Sequence, residues 1–477
     1  PNAIKSYLED ASGLVGAHAD KVYLPETYED ISEVLKEANA KRIPITISGG
    51  GTGVTGGRLP FSGELLAMDK LNKILKLKCG SITVQGGVTI AEIHKAAESI
   101  KHFYPPDATE WSAFIGGNIA TNASGARTYK YGSTRRYVKK IKVVLADGKI
   151  WDIVRGQVFF KNGKCQMANI KLRAPEYKMP DIKNAAGYYS KENMDLIDIF
   201  IGSEGTLGVI VEAELEILKK TGYIFAAFAF FDKLKDSISF VQELKANKRK
   251  YDILAIEFFD RNAMKLLRSK YPKIPIDKEA CIFFEEEITV EKEQTYLDKW
   301  GQLLEKHNVS LDHVWVADNL DKETEFKEIR HAIPELVNEI VKQRGFAKLG
   351  TDIAVPDDKF IEMFSFYKDK LDNTNFDYLI FGHIGDSHLH VNILPKTNEE
   401  VVKCKELYLE FARKAVALGG TVSAEHGIGK LKHHFLMEMY GQNGVVEMAR
   451  VKKELDPNWI LGINNIFSCD IIKIVCE

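Results

Sequence analysis

The stretch Ser48–Gly57, SGGGTGVTGG, decides how the rest of this chain is interpreted. It follows a short apolar run, Pro44–Ser48, that predicts a strand. Residues 49–57 include six glycines, and glycine loses more conformational entropy on folding than any other residue. A row of backbone N–H groups that can approach an anion closely, as in a nest around a diphosphate, would explain this cost. The alternative is a structural glycine turn.

Three of these glycines, Gly51, Gly53 and Gly56, match the GxGxxG pattern of dinucleotide-binding loops. In that fold the loop opens a helix whose N-terminus holds the pyrophosphate. Here Pro60 and Gly63 stand where the helix would have to propagate. The sequence therefore disfavours a Rossmann site and favours a phosphate-binding loop between strands.

Two further stretches are rich in small residues. The first, Tyr104–Val138, contains IGGNIATNASGARTYKYG, with Asn118, Thr121, Asn122 and Ser124 as hydrogen-bonding side chains. It is too rich in glycine and alanine to build its own core, and it is typical of a chain laid along a flat ligand. The second, IGSEGTLGVI, covers Ile201–Ile210 and passes into a predicted strand.

Three histidines, His383, His388 and His390, lie within FGHIGDSHLHVN, Phe381–Asn392. Apolar residues on both sides of the Gly-Asp-Ser segment predict a strand, a turn and a strand. Neutral imidazoles brought together by such a turn are candidate metal ligands that need an acidic partner. Downstream, Glu425 stands next to His426 in a glycine-flanked loop and supplies such an acid. The alternative is a set of polar residues on a half-exposed hairpin.

Length and composition limit the class of protein. A chain of 477 residues predicts two to three domains, and a net charge of −2 argues against nucleic-acid binding. The six cysteines form no CxxC pair, which argues against a local iron–sulfur cluster and suits a reducing compartment. We find no run of about 18 apolar residues and no basic-then-apolar start. A protein without a transmembrane segment, in the cytoplasm, is therefore expected.

The three glycine-rich motifs, in this order and spacing, resemble the flavin domain of the vanillyl-alcohol-oxidase family. They are most similar to its FAD-linked D-2-hydroxyacid dehydrogenases, which act on D-lactate, glycolate or D-2-hydroxyglutarate. The resemblance implies an α+β fold: an FAD-binding domain of two α/β subdomains, a cap domain with an antiparallel sheet, and a helical C-terminal segment. The expected boundaries are 1–218 for the FAD-binding domain, 219–418 for the substrate-binding cap and 419–477 for the C-terminal segment.

The resemblance also implies which residues bind FAD. Ser48 stands where relatives often carry arginine, so one cationic contact to the diphosphate is expected to be missing. The loop offers no histidine or cysteine for covalent attachment, so FAD is expected to be bound non-covalently. The tail lacks the lysine that contacts the cofactor in relatives, so this contact is expected from Asn464 or Asn465, or is absent. The expected cofactor residues are Ser48, Gly49, Gly50, Gly51, Thr52, Gly53, Gly57, Pro106, Asp107, Gly116, Gly117, Thr121, Asn122, Ser124, Gly125, Glu204, Gly205, Ile210 and Asn464.

The same resemblance implies a metal and catalytic set. His383, His390 and Glu425 are expected to bind a divalent metal, which is zinc, iron or manganese. His426 is expected to be the catalytic base, and Arg330 to bind the substrate carboxylate, a role that a planar guanidinium suits.

Three further positions complete the expected site. Asn392 is expected to hydrogen-bond the carboxylate or a metal-bound oxygen. His388 stands where relatives usually carry asparagine, and it is either a spare polar residue or one that modifies the site. Lys348 lies in the region where a lysine holds the distal carboxylate in dicarboxylate dehydrogenases, but its spacing from Asp352 differs from that pattern.

The implied reaction is oxidation of a D-2-hydroxy acid, D-lactate first, to the 2-keto acid, with hydride transferred to the flavin N5. Electrons are expected to pass to a partner such as electron-transferring flavoprotein, or to a quinone. Glycolate and D-2-hydroxyglutarate dehydrogenases, and an oxygen-using oxidase, are alternatives within the class. A non-catalytic flavin subunit of an electron-transfer complex is the alternative outside it.

Overall fold

The computed structural model describes residues 2–248, 250–288, 293–317 and 319–476. The chain folds into two compact units. Unit 1 comprises Pro1–Ser124, Ser133–Lys219 and Val422–Glu477, and unit 2 comprises Gly125–Gly132 and Lys220–Thr421. The C-terminal segment therefore belongs to the same unit as the first half of the chain.

The strands of the described residues run from three to nine residues in most cases. They are β1 (Lys21–Tyr23), β2 (Ile45–Ser48), β3 (Glu64–Ala67), β4 (Ile74–Lys78), β5 (Ser81–Gln85), β6 (His102–Phe103), β7 (Val138–Val144), β8 (Ile150–Val154), β9 (Lys164–Met167), β10 (Ile170–Arg173), β11 (Val209–Glu216), β12 (Leu218–Lys219), β13 (Tyr223–Phe231), β14 (Ile253–Asp260), β15 (Ala280–Ile288), β16 (Val314–Val316), β17 (Leu349–Gly350), β18 (Ile353–Ala354), β19 (Asp377–Gly382) and β20 (His388–Leu394).

The helices are distributed over both units. They are α1 (Asn2–Lys5), α2 (Tyr28–Lys41), α3 (Ile90–Ser99), α4 (Ile115–Thr121), α5 (Thr128–Tyr131), α6 (Leu196–Phe200), α7 (Leu234–Ala246), α8 (Arg261–Leu267), α9 (Glu293–Lys306), α10 (Leu320–Arg344), α11 (Phe360–Asp372), α12 (Asn398–Ala417), α13 (His433–Leu455) and α14 (Cys469–Cys476). Among the helices of the described residues, none is both long and apolar enough to cross a membrane.

Unit 1 begins with a parallel sheet in the order β1-β3-β2. Helix α2 starts at Thr27, whose side chain accepts the N–H of Asp30 while the Asp30 carboxylate accepts the N–H of Thr27. One face of the helix buries Ile31 and Leu35 in the core of the unit, which is the apolar stripe that the sequence shows. The tail of the chain completes this part, because the N–H of Ile45 donates to the carbonyl of Ile460.

The glycine-rich stretch lies between β2 and β3, and residues 49–63 contain no helix. The prediction against a Rossmann site is therefore confirmed. A five-stranded antiparallel sheet in the order β4-β5-β11-β7-β8 forms the other large part of unit 1. Strand β11 begins at Val209, in the last two residues of the stretch Ile201–Ile210, which therefore passes into a strand as predicted.

Unit 2 is built on an eight-stranded sheet in the order β16-β13-β15-β14-β19-β20-β17, with β18 also paired to β20. Its central strands are buried on both faces, and Phe228, Phe283 and Phe326 lie in one apolar core cluster. The predicted histidine hairpin is present as β19 and β20, which pair antiparallel around a 3-10 turn at Ile384–Asp386. The hairpin is therefore held by the interior of a large sheet.

Candidate functional site

The loop after β2 presents backbone donors. Among the described residues, none accepts a hydrogen bond from the N–H groups of residues 49–53. The loop is at most half-buried here, although Ser48 before it is fully buried. Backbone N–H groups that stay unpaired in a folded chain are available to water or to an anion.

The surroundings of each glycine show whether the packing of the chain or the approach of a ligand explains it. A Cβ on Gly50 would lie 2.9 Å from the carbonyl oxygen of Ser112, so the chain itself requires glycine there. At Gly53 and Gly117, by contrast, nothing lies within 4 Å of the position of a Cβ, and neither has a φ angle that favours glycine. The packing of the chain does not explain these two glycines. A ligand lying on the loop does, so this cradle fits a dinucleotide diphosphate.

The second small-residue stretch lies against the first. A Cβ on Gly49 would lie 4.0 Å from the Cα of Gly117, and one on Gly116 would lie 3.1 Å from the carbonyl oxygen of Ile210. Gly116 and Gly117 open helix α4, and Thr121 Oγ1 donates to the carbonyl of Gly117 within it. Three segments that the sequence predicted for one cofactor therefore lie side by side in unit 1.

The helix ends in a turn that the sequence also predicted for the cofactor. Asn122 caps α4 with a φ of 50° in the left-handed region, which asparagine tolerates, and its Oδ1 accepts the N–H of Arg135. Pro106 is buried and Asp107 is half-buried in the loop that follows β6. Gly125 belongs to unit 2, where its N–H donates to Thr128 Oγ1.

The third stretch holds the C-terminal loop in place. The carboxylate of Glu204 accepts the N–H groups of Ile428 and Gly429 at 2.7 and 2.6 Å. Burial raises the pKa of Glu204 to about 7, against the two hydrogen bonds that favour the charged form. A Cβ on Gly205 would lie 3.1 Å from Ile47 Cδ1, so this turn packs directly on β2.

The tail reaches the first glycine loop through Asn465. Its Nδ2 donates to the carbonyls of Gly57 and Glu204, and its Oδ1 accepts from Lys430 Nζ at 2.6 Å. Burial lowers the pKa of Lys430 to about 8. Asn464, the residue named for cofactor contact, has a φ of 64°, and its carbonyl accepts from His433 Nε2. Its neighbour Asn465 is thus the tail amide that contacts the glycine loop.

Sequence reasoning missed Arg58. Its Nη1 donates to the carbonyl of Gly49 and would lie 2.0 Å from a Cβ on Gly51, so the guanidinium lies directly against the loop. Nη2 donates to the carbonyl of Ser6, and burial lowers the pKa of Arg58. A cation that follows the loop in the sequence thus contacts its first residues, Gly49 and Gly51. The sequence signal was an arginine directly after Gly57.

In unit 2 the hairpin brings the three histidines together. One ligand atom from each of His383, His388 and His390 can be chosen so that all lie within 4.8 Å of one another. His388 is fully buried, whereas His390 is half-buried. Ser387 takes a left-handed φ of 52° in the turn, and its hydroxyl accepts from Lys245 Nζ. Three convergent imidazoles are a donor set that fits a divalent transition metal.

Each histidine of the predicted metal pair is oriented by an acceptor. His383 Nδ1 lies 2.7 Å from Oε1 of Glu257, a buried residue of β14. His390 Nδ1 lies 3.1 Å from the carbonyl oxygen of Thr351. An acceptor at one ring nitrogen fixes the orientation of an imidazole and leaves the other nitrogen for a metal. Sequence reasoning missed Glu257, because it is an ordinary acidic residue in a strand.

Asn392 lies on β20, on the same face as His388 and His390, since side chains alternate along a strand. It is buried, and its Oδ1 would lie 2.6 Å from a Cβ on Gly350, the residue opposite it on β17. Glycine at 350 therefore gives this amide room beside the histidines.

Arg330 is buried in helix α10, where its Nη2 lies 2.8 Å from His331 Nε2. Its guanidinium carbon lies 5.9 Å from the centre of the Phe283 ring. Such a desolvated, ring-backed guanidinium is suited to bind a carboxylate. Lys348 is half-buried, and burial lowers its pKa.

Glu425 and His426 belong to unit 1. Lys183, which sequence reasoning missed, places its Nζ 2.8 Å from Glu425 Oε2, and Ser124 Oγ donates to the same oxygen at 3.5 Å. His426 Nε2 lies 3.6 Å from Glu425 Oε1, and the His426 carbonyl accepts from Thr55 Oγ1. The His426 side chain is about one-third exposed, so it remains accessible for proton transfer.

Comparison with known proteins matches most of the chain. The family model described as FAD linked oxidases, C-terminal domain, matches residues 223–464, and the FAD binding domain matches residues 19–153. Glycolate oxidase subunit GlcD of Bacillus subtilis (strain 168) is 29% identical over 476 residues, covering 98% of this chain and 93% of that protein. D-lactate dehydrogenase of Anaerostipes hadrus is 28% identical over 475 residues, covering 97% and 92%.

A third relative is D-2-hydroxyglutarate dehydrogenase of Xanthomonas citri pv. viticola, which is 28% identical over 462 residues and covers 94% of this chain and 89% of that protein. Among solved structures, alkyldihydroxyacetonephosphate synthase is similar in two crystal forms, P212121 and P1, with TM-scores of 0.63 and 0.61. These cover 92% of this chain and 76% and 75% of theirs, at 15% and 14% identity. At such identity the likeness concerns the fold alone.

Proposed function

The chain belongs to the family of FAD-linked oxidases, and on that premise we propose that it oxidises a D-2-hydroxy acid to the 2-keto acid. The predicted α+β fold of the vanillyl-alcohol-oxidase type is confirmed. D-lactate is the proposed substrate. The observation that carries the proposal is the match, over nearly the whole chain, to relatives named for three different 2-hydroxy acids.

The proposed FAD site is the cradle of unit 1, and bound FAD supplies the hydride acceptor. The N–H groups of residues 49–53 would bind the diphosphate, and Arg58 would supply the positive charge that Ser48 does not. The open space at Gly53 and Gly117 supports this placement, because a Cβ at either position would enter the space of the ligand. Non-covalent binding is proposed, because the loop offers no histidine or cysteine for attachment.

The proposed metal ligands are His383, His390 and Glu425, for zinc, iron or manganese. A bound dication lowers the pKa of a coordinated hydroxyl. The orientation of His383 by Glu257 and of His390 by the Thr351 carbonyl supports the pair.

The remaining steps are assigned to side chains of this chain. The Arg330 guanidinium binds the C1 carboxylate of the substrate, and the Asn392 amide hydrogen-bonds it. The His426 imidazole accepts the proton of the 2-hydroxyl at a ring nitrogen. The burial of Arg330 and the partial exposure of His426 suit these two roles.

The electron acceptor is proposed to be a partner protein such as electron-transferring flavoprotein, or a quinone. A dicarboxylate, D-2-hydroxyglutarate, is the second candidate substrate. The lowered pKa of Lys348 favours it, since a partly desolvated ammonium gains most from pairing with a second carboxylate.

Anaerobic mixing of the yellow purified protein with single substrates tests the proposal. We expect D-lactate to bleach the visible flavin absorbance faster than L-lactate, glycolate and D-2-hydroxyglutarate. Fastest bleaching by D-2-hydroxyglutarate would favour the second candidate, and bleaching by no 2-hydroxy acid would rule out the proposed reaction. Rapid recovery of the absorbance on admitting air would identify an oxidase.

A further inference from the structure

The hairpin of unit 2 carries one histidine more than the proposed metal pair. We propose that His388 is a third imidazole ligand, so that unit 2 presents a three-histidine metal centre. The inference rests on the proposed function only in that both place a divalent metal at this hairpin. It changes the ligand set and therefore the class of metal that the protein selects.

The rings of the three histidines converge. The ring centres of His388 and His390 are 4.5 Å apart, and those of His383 lie 5.3 and 5.5 Å from them. One nitrogen of each ring lies within 4.8 Å of the others. Ligand nitrogens around a tetrahedral zinc ion are about 3.4 Å apart. A small rotation of the rings therefore closes this cluster around an ion.

His388 also has a buried carboxylate beside its ring. Its Nε2 lies 3.2 Å from Oδ1 of Asp352, and both side chains are almost completely buried. His383 has Glu257 and His390 has the Thr351 carbonyl at the equivalent place, each at Nδ1. With Nδ1 of His383 and of His390 hydrogen-bonded, the proposed ligand atoms are Nε2 of these two rings and Nδ1 of His388.

The charges around the three histidines also favour a bound metal ion. Glu257 and Asp352 are buried carboxylates, 4% and 0% exposed, next to imidazoles that are neutral when they bind a metal. Burying two negative charges costs free energy unless positive charge is placed nearby. A dication bound by the three histidines supplies that charge. Three imidazoles favour zinc, cobalt or nickel over manganese and magnesium, which prefer oxygen ligands.

A purely structural role for His388 is the competing explanation. It pairs opposite Ala354 on β18, and its contact with Asp352 would then serve only to hold β18 on β20. This role needs no metal. The two explanations predict different effects of substituting His388 on the binding of Co²⁺.

The experiment uses the full-length flavoprotein stripped of metal by a chelator and titrated with Co²⁺, and then with Mn²⁺. The variant His388→Asn is compared with the wild type and with His313→Asn, a histidine of unit 2 outside the cluster. We expect His388→Asn to weaken Co²⁺ binding roughly 10- to 100-fold and to change the visible Co²⁺ absorption. Mn²⁺ binding should change less, and His313→Asn should match the wild type.

Unchanged affinity and absorption in a folded His388→Asn protein would overturn the proposal. If that variant does not fold, electron paramagnetic resonance of the Cu²⁺-loaded wild type decides instead. Three coordinated nitrogens from histidine support the proposal, and two overturn it.

Flavin reduction by substrate, measured on the same samples, separates this inference from the proposed function. If D-lactate reduces the wild type but the metal is bound through two histidines, only the inference about His388 is refuted. If the wild type binds Co²⁺ through three histidines but no 2-hydroxy acid reduces it, only the proposed reaction is refuted.

Discussion

Unit 1 and unit 2 hold their candidate residues in different ways. In unit 1 most of them are glycines and small residues in segments from four distant parts of the chain, at 48–57, 116–124, 204–210 and 464–465. In unit 2 the three histidines lie within eight residues on one hairpin, and buried acceptors lie beside their rings. The first unit offers backbone N–H groups to a ligand, and the second offers side-chain nitrogens.

This difference teaches which substitutions each site tolerates. A backbone cradle is damaged by any added Cβ, whereas most side chains around it are free to vary. A side-chain site depends on a few atoms and on the partners that orient them. The five predictions below test this contrast, from the largest expected effect to the smallest.

His426 is the exception in unit 1, a side chain with a proposed chemical role. His426→Ala should slow flavin reduction by substrate roughly 10²- to 10⁴-fold, the range for loss of a general base. FAD should stay bound, because the described contact of His426 with the first glycine loop is through its backbone carbonyl. Stopped-flow absorbance measures the rate, with His18→Ala, an exposed histidine of the same unit, as control. Near-normal reduction would refute the base assignment.

Glu257 tests the dependence of unit 2 on orienting partners. Glu257→Gln should weaken metal binding about 10- to 100-fold, because the neutral amide no longer holds His383 in one orientation. Calorimetric titration of the metal-free protein with Zn²⁺ gives the affinity. The control is Glu286→Gln, a buried carboxylate of the same sheet that binds Lys299 and Trp300. Equal losses in both variants would mean a general effect on the sheet.

Arg58 tests whether the cradle of unit 1 also needs a cation. Arg58→Met should weaken FAD binding roughly tenfold, the effect of about 1.5 kcal/mol for one hydrogen bond to a charged group. Fluorescence of released flavin on dilution measures the dissociation constant. Arg173→Met, at an exposed position of β10, should leave it unchanged. An unchanged constant in Arg58→Met would show that the backbone suffices.

Gly53 tests the cradle directly. Gly53→Ala should leave the free energy of unfolding of the flavin-free protein unchanged, because nothing lies within 4 Å of the new Cβ. FAD binding should weaken about fivefold, since a clash of about 1 kcal/mol arises only with the ligand. Gly301→Ala, in helix α9 of unit 2, should not affect FAD. Full FAD affinity in Gly53→Ala would place the diphosphate elsewhere.

Glu204 stands last because it tests stability against pH rather than turnover or binding. Its pKa is raised to about 7 in the folded protein, so the unfolded chain releases this proton at lower pH. Stability from this group is therefore present below about pH 4.5 and is lost as the pH rises towards 7. In Glu204→Gln the urea concentration at the midpoint of unfolding should change less between pH 5 and 7 than in the wild type.

Asp260 in unit 2 is a buried carboxylate that serves as the comparison for Glu204. Burial raises its pKa to about 7 as well, and it caps α8 by accepting the N–H of Ala263. Asp260→Asn should remove a slope of the same sign from the unfolding of unit 2. A slope that persists unchanged in both variants would show that other groups control this pH range.

Much of the local structure of both candidate sites was predictable from the sequence. The glycine loops, the strand after Ile201 and the hairpin at 381–392 follow from local composition and turn residues, which constrain the backbone directly. The partners of the site residues were not visible, among them Arg58, Lys183, Glu257 and Asp352.

By itself, then, the sequence determined the backbone of the cradle and the presence of three neighbouring histidines. Tertiary structure alone decided which acceptors orient those histidines and what contacts Glu425. Glu257 lies beside His383 because β14 pairs with β19, with Phe258 opposite Gly382, although 126 residues separate them in the chain. Local spacing fixes turns and faces, whereas the register of strands and the packing of remote loops select one carboxylate among many.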